Sequence, residues 1–182
     1  MTKPKTTQPK TQESVQGRDT FYTPNYGTDL IVPFITGNRI WESASGSGKM
    51  AGRLVHHGFT VFESDLIFGQ NFFEYTLDLE FDAIVTNPPF SLKREFYNRC
   101  KSFEKPFALL IPLDFCGWIL RAMKDDGSQW LAPTRRIDYI TPTGRRGKDS
   151  HSQFHSGWFC FGMELPEQIT IVELTNKMKE NV

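Results

Sequence analysis

The chain is predicted to be α/β, with a mostly parallel central sheet and an antiparallel C-terminal edge. Three observations carry this. Short β-branched and aromatic runs alternate with segments of helical period. A glycine-containing turn, Ser43 to Gly48, lies between one such run and a helix-like segment. Phe107 to Leu113 is almost unbroken apolar sequence, the pattern of a strand covered on both faces.

Taken in order, residues Met1 to Arg18 are Thr, Gln, Lys and Pro with almost nothing apolar, and read as a disordered polar tail. Leu30 to Ile35 is an apolar cluster expected to form a short helix. Arg39 to Glu42 reads as a strand ending at the glycine turn. Lys49 to His57 reads as a helix with Met50, Leu54 and Val55 on one face, closed by Gly58 in a left-handed conformation. Phe59 to Phe62 and Phe81 to Val85 are the second and third strands. Leu92, Phe96, Cys100 and Phe103 recur at helical spacing, the strand Phe107 to Leu113 follows, and Phe115 to Met123 reads as a helix. Arg136 to Ile140, Trp158 to Met163 and Ile169 to Leu174 read as late strands. No clear helix separates them, which is the basis for the antiparallel edge.

A length of 182 residues fits one domain with a sizeable core. Formal net charge is zero, so contact with nucleic acid has to come from local patches. The 16 Phe suit an aromatic core and supply flat rings for binding a base. Cys100, Cys116 and Cys160 are scattered and odd in number, which excludes a disulfide framework and points to a reducing compartment. No apolar run approaches the about 20 residues of a membrane span, and the N-terminus lacks the apolar core of a signal peptide. A cytoplasmic protein is expected. His56-His57 and the pair His151 and His155 lack a third ligand at metal-binding spacing, so no metal is expected.

The glycine turn discriminates between ligands. A phosphate-binding loop needs Gly-x-x-x-x-Gly-Lys-Ser/Thr, whereas Ser43 stands in the first glycine position and Met50 in that of the magnesium-binding hydroxyl. Gly46-x-Gly48-x-x-Ala51 does match the turn that holds an adenosine-containing cofactor, and Asp65, past the next strand, is placed to accept hydrogen bonds from ribose hydroxyls. Thr86-Asn87-Pro88-Pro89-Phe90 then follows the third strand, at the end where open α/β sheets bind ligands. An amine conjugated to a ring is a poor nucleophile. An Asn oxygen and a backbone carbonyl that each accept one of its N–H bonds favour a pyramidal nitrogen with its lone pair outward. Two prolines hold the carbonyl and add no competing donor, and Phe90 supplies a ring on which an extruded base can stack.

Asn87-Pro88-Pro89-Phe90 resembles the Asn/Asp/Ser-Pro-Pro-Tyr/Phe motif of S-adenosylmethionine-dependent amino-methyltransferases, chiefly the N6-adenine DNA methyltransferases. Glu42-Ser43-Ala44-Ser45-Gly46-Ser47-Gly48 is similar to their cofactor motif, and Phe21-Tyr22-Thr23-Pro24 to the Phe-x-Thr-Pro element that precedes it. The resemblance covers Asp19 to Leu113 well and the remainder loosely. It implies a Rossmann-like class I methyltransferase domain over residues 19–182, with S-adenosyl-L-methionine as cofactor and DNA as partner. It further implies cofactor binding by Tyr22, Thr23, Pro24, Glu42, Ser43, Gly46, Gly48, Asp65, Asn71 and Phe72, and catalysis by Asn87, Pro88, Pro89 and Phe90. Asn71 departs from the acid usual at its position; its amide oxygen accepts the same bond without charge. Phe72 would pack on the cofactor's adenine. Arg145, Arg146 and Lys148, in the polar segment Thr141 to Ser156, are the candidates for phosphate contacts, with Arg135 and Arg136 nearby. No separate recognition domain is evident, so low sequence specificity, or specificity from a partner, is expected, as in small phage-type enzymes. RNA adenine and a protein glutamine amide stay open as substrates, as does a non-catalytic binding subunit.

Overall fold

The computed structural model describes residues 21–141, 143–145 and 154–180. The tail read as disordered therefore lies outside the described residues, as do Arg146, Lys148 and His151.

Among the described residues seven strands form one sheet: β1 (Arg39–Glu42), β2 (Thr60–Glu63), β3 (Ala83–Thr86), β4 (Phe107–Pro112), β5 (Gln129–Pro133), β6 (Ser156–Phe161) and β7 (Ile169–Val172). Their order is β2-β1-β3-β4-β6-β5-β7. Pairing is parallel from β2 through β4 and between β5 and β7. The antiparallel pairing expected in the C-terminal part is present, because β6 runs against both β4 and β5. Among the described residues four helices flank the sheet: α1 (Asn25–Asp29), α2 (Lys49–His56), α3 (Lys93–Lys101) and α4 (Gly117–Asp125).

Side-chain alternation along the strands builds two cores. Ile40, Ala83, Val85, Ala108, Leu110, Leu131, Trp158 and Cys160 face one side, where Tyr26 of α1 and Met50 and Leu54 of α2 cover them. Trp41, Ile84, Phe107, Leu109, Ile111, Trp130 and Phe159 face the other, under Phe96 and Cys100 of α3 and Ile119 and Ala122 of α4. Burial on both faces explains why β4 reads as continuous apolar sequence. Gly58 closes α2 at φ 92°, as its position predicted.

Two assignments are corrected. The helix expected over Leu30 to Ile35 lies earlier, at Asn25–Asp29, and only Val32–Phe34 forms a 3-10 turn after it. Pro33 lacks the amide that a longer helix would need there. Arg136 to Ile140 is not a strand; only Ile140 makes a bridge, to Tyr22. Ile137 and Tyr139 do alternate inward and are buried, but from an extended segment beside the first core. The strand in that region is β5, whose five residues end in proline and carry little β signal.

The amino ends of β1 and β3 are clipped by Asp82, whose carboxylate accepts from the Asn38 and Arg39 amides, both at 2.8 Å, and from the Arg39 guanidinium at 2.9 Å. The Arg39 side chain and these two amides hold the Asp82 carboxyl well below the usual carboxylate range. Gly37 makes the approach possible, since a Cβ there would lie 2.3 Å from the Asp82 Cβ. No helix among the described residues is long and apolar enough to cross a membrane.

The buried indole of Trp158 donates to the Gly27 carbonyl at 2.9 Å, tying α1 to β6. Trp158→Phe leaves that carbonyl unpaired and is expected to lower stability by about 1–3 kcal/mol in urea titration. An unchanged midpoint would contradict the bond.

Candidate functional site

The chain runs outward to β2 from β1 and in the opposite direction from β3, which opens a crevice at the carboxyl ends of β1 and β3. Three loops and the N-terminal segment converge there. Glu42 ends β1 and is 1 % exposed. Its Oε1 accepts from Thr86 Oγ1 at 2.5 Å and from the Ala44 amide at 3.2 Å. Thr86 ends β3, so this bond joins the start of the glycine turn to the residue that precedes the tetrapeptide Asn87 to Phe90.

Beyond Glu42 the β1–β2 ladder continues, with Ser64 N donating to Glu42 O and Ser45 N to Ser64 O. Asp65 holds the turn from the other side: its Oδ2 accepts from the Gly46 amide at 2.8 Å and its Oδ1 from the Ile67 amide at 2.9 Å. Gly46 and Gly48 adopt φ 53° and 73°. A Cβ on Gly48 would sit 3.1 Å from Glu63 Oε2, and one on Gly46 would touch the Tyr22 ring. Both glycines are thus favoured by their left-handed conformation.

Burial pushes the Glu42 carboxyl up to about 8; Asp65 and Glu63 add to the rise, while the Thr86 and Ala44 bonds act against it. The folded protein keeps a proton that the unfolded chain releases above about 4.5, so stability falls as pH rises from there through about 8. Glu42→Gln is expected to remove that loss, read as urea midpoints compared across the same pH span. A pH dependence shared equally by both proteins would contradict it.

Thr23 Oγ1, Ser43 Oγ, Ser45 Oγ and Asn87 Oδ1, buried side-chain oxygens around the crevice, have no hydrogen-bond partner among the described residues. Asn87 donates through Nδ2 to the Phe21 carbonyl at 2.8 Å. Phe90 stacks on Phe21 with centroids 5.9 Å apart and planes at 16°. It meets Phe154 edge-on at 4.9 Å and Tyr139 at 5.7 Å. Pro88 is buried, and the Pro89 carbonyl accepts from the Leu92 amide to start the next turn.

Of the residues singled out from the sequence, the structure brings together Tyr22, Thr23, Glu42, Ser43, Gly46, Gly48, Asp65 and the tetrapeptide Asn87 to Phe90. Pro24 is buried just behind them, where its carbonyl starts α1. Asn71 caps its own turn through the Phe73 amide. Phe72 departs from expectation. It is fully buried in the second core, stacked on Phe96 at 4.8 Å and edge-on to Trp41 at 5.3 Å, and presents no ring face to a ligand. The turn at Asn71 directs it inward. Arg145 is exposed. His155 is held by the Pro133 carbonyl, and Arg135 by Asn176. No group of three His, Cys, Asp or Glu among the described residues is placed to hold a metal ion.

Sequence reasoning missed three contributors. Glu63, the last residue of β2 and in register with Glu42, places an exposed acid over Gly48; its strand-end position was the available signal. The Phe21 carbonyl lay inside a quoted element but carried no side-chain signal. Phe154, 64 residues from Phe90 in sequence, had none.

The fold is Rossmann-like, and it is shared with a solved methyltransferase subunit. The chain superposes on the crystal structure of the methyltransferase subunit of a type I restriction-modification system from Streptococcus thermophilus with a TM-score of 0.53 at 12% identity, over 88% of this chain and 51% of that one. It therefore spans about half the length of that subunit. A Thermoplasma acidophilum protein assigned as a methyltransferase aligns with a TM-score of 0.35 at 12% identity, covering 84% of this chain and 69% of that one. The DhpI protein in complex with SAM and HEP gives 0.28 at 17%, covering 73% and 70%. No protein-family profile matches the sequence, and no curated protein matches it significantly.

Proposed function

We propose that this protein is an S-adenosylmethionine-dependent methyltransferase acting on the exocyclic N6 amine of adenine in DNA. The observation that carries the reading is Asn87 Oδ1, a buried acceptor with no partner, in a tetrapeptide at the carboxyl end of β3 and one residue from the Thr86–Glu42 bond to the glycine turn. The fold, shared with the methyltransferase subunit of a type I restriction-modification system, supports the choice of methyl-transfer chemistry.

The residues of the crevice fit the cofactor. Ser43, Ser45 and Thr23 offer unpartnered buried hydroxyls. Glu42, Glu63 and Asp65 place three acids around a turn that would receive a ligand carrying ammonium and sulfonium charge. Asp65 retains lone pairs beyond the two backbone amides it already accepts, enough for ribose hydroxyls. Asn71 would accept from the cofactor's adenine amine, and Tyr22, over Gly46, would wall the site. S-adenosylmethionine supplies an activated methyl group. The chain's own contribution is orientation: Asn87 Oδ1 and the Pro88 carbonyl accept the two N–H bonds of the amine, and Phe90 supports the base. No side chain has to remove a proton before transfer. Arg145, with Arg146 and Lys148, would contact phosphates without reading sequence.

Asn87→Ala removes the acceptor and leaves the cofactor crevice intact. Methyl transfer should fall at least ~100-fold, while the calorimetric Kd for S-adenosylmethionine stays within about threefold, a difference below ~0.7 kcal/mol. Activity that survives this change would overturn the mechanism. Arg145→Ala should weaken DNA binding on all sequences alike and lower the slope of log affinity against log salt by about 1. An unchanged slope would remove Arg145 from the interface.

A further inference from the structure

We propose that the N-terminal segment is part of the active site, because the main-chain carbonyl of Phe21 decides which end of the Asn87 amide faces the target. This rests on the functional reading above. A primary amide has a donor end and an acceptor end, and a half-turn of its last torsion exchanges them. Only the acceptor end holds an amine with its lone pair outward. Within Asn87-Pro88-Pro89-Phe90 the two prolines offer no amide to pair with the oxygen, and the Phe90 amide is not bonded to it.

The selection comes from 66 residues away in sequence. Asn87 Nδ2 donates to the Phe21 carbonyl at 2.8 Å, and Oδ1 is left buried and unpartnered. Exchanging the ends would set two acceptor oxygens against each other and lose the hydrogen bond, in surroundings with little water to compensate. The carbonyl is itself fixed. Tyr22 and Ile140 exchange backbone hydrogen bonds at 2.8 and 3.0 Å. The Phe21 ring packs on Phe90, Tyr139 and Phe154, with centroids 5.8 to 5.9 Å apart. The N-terminal segment is thus a strap held against Asn87 and Phe90. It is a positioning element that acts through Asn87, and the ring and carbonyl of one residue serve Phe90 and Asn87 together.

Asn87→Asp separates this role from a general need for an acceptor. The carboxylate keeps oxygens to face the amine but has no hydrogen to give the Phe21 carbonyl; the protonated acid has one. Single-turnover methyl transfer to adenine-containing DNA is measured at saturating S-adenosylmethionine for both proteins from about pH 8.5 to about pH 5.5. The readout is the ratio of variant to wild type. The ratio is taken because Glu42, which reaches this site through Thr86, titrates within the window in the wild type as well, whereas the Tyr139 phenol is pushed by burial far above it. The ratio is expected below about one-hundredth at high pH and rising about tenfold per pH unit as pH falls, until the carboxyl is protonated. A flat ratio at any level, with wild type active, overturns the role of Phe21 alone. A wild type that methylates no DNA overturns the functional reading and this inference with it. Independently of activity, the full-length protein should show an NMR coupling across the hydrogen bond between Asn87 Nδ2 and the Phe21 carbonyl carbon, and its absence overturns the proposal.

Discussion

The buried hydrogen bond between Glu42 and Thr86 is the contact on which the rest of the site depends. β1 and β3 share only two register pairs, Ile40 with Ala83 and Trp41 with Ile84. So short a pairing does not by itself fix how two long loops meet. Carboxyl groups do so at both ends of the pair. Asp82 clips the amino ends through two amides and a guanidinium. Glu42 clips the carboxyl ends through the Thr86 hydroxyl. The first is exposed enough to stay ionised with a cationic partner. The second is buried without one, and its proton affinity rises accordingly. A carboxyl kept in that condition is poised for a cation, which is what the proposed cofactor brings.

Around that pin, polar and aromatic parts are separated. The proposed cofactor side is made of small residues, Ser43 to Gly48, and the buried Ser43 and Ser45 hydroxyls find no partner among the described residues. The proposed target side is made of rings: Phe21, Phe90, Tyr139 and Phe154 lie in mutual contact. Asn87 stands at the boundary, one end tied to the strap and the other open. Rigid supports suit such a site, since an orienting mechanism is worth only as much as the precision of the groups that orient. Two prolines, a two-residue bridge and a ring stack supply that precision here.

Much of this was legible in the sequence, and the part that was not has physical causes. β1 and α2 were read to within a residue, because apolar period and glycine punctuation agree locally. Both motif loops were placed at strand ends for the same reason. β5 was missed because its pairing partners, β6 and β7, are distant in the chain and its own residues are ordinary. Arg136 to Ile140 carried the better alternation, yet alternation reports burial of every second residue and not pairing. Phe72 shows the same limit: an aromatic beside a polar turn faces a ligand or the core according to the turn's geometry, which one sequence does not display. Phe154 and the Phe21 carbonyl enter the site only through tertiary folding.

The most direct test of the central claim is transfer of labelled methyl from S-adenosylmethionine to unmethylated DNA, RNA and cell protein side by side. The product is identified by mass spectrometry after digestion. The account predicts N6-methyladenine from DNA as the labelled product. Label confined to RNA or protein, or absent from all three while the cofactor still binds, would contradict it.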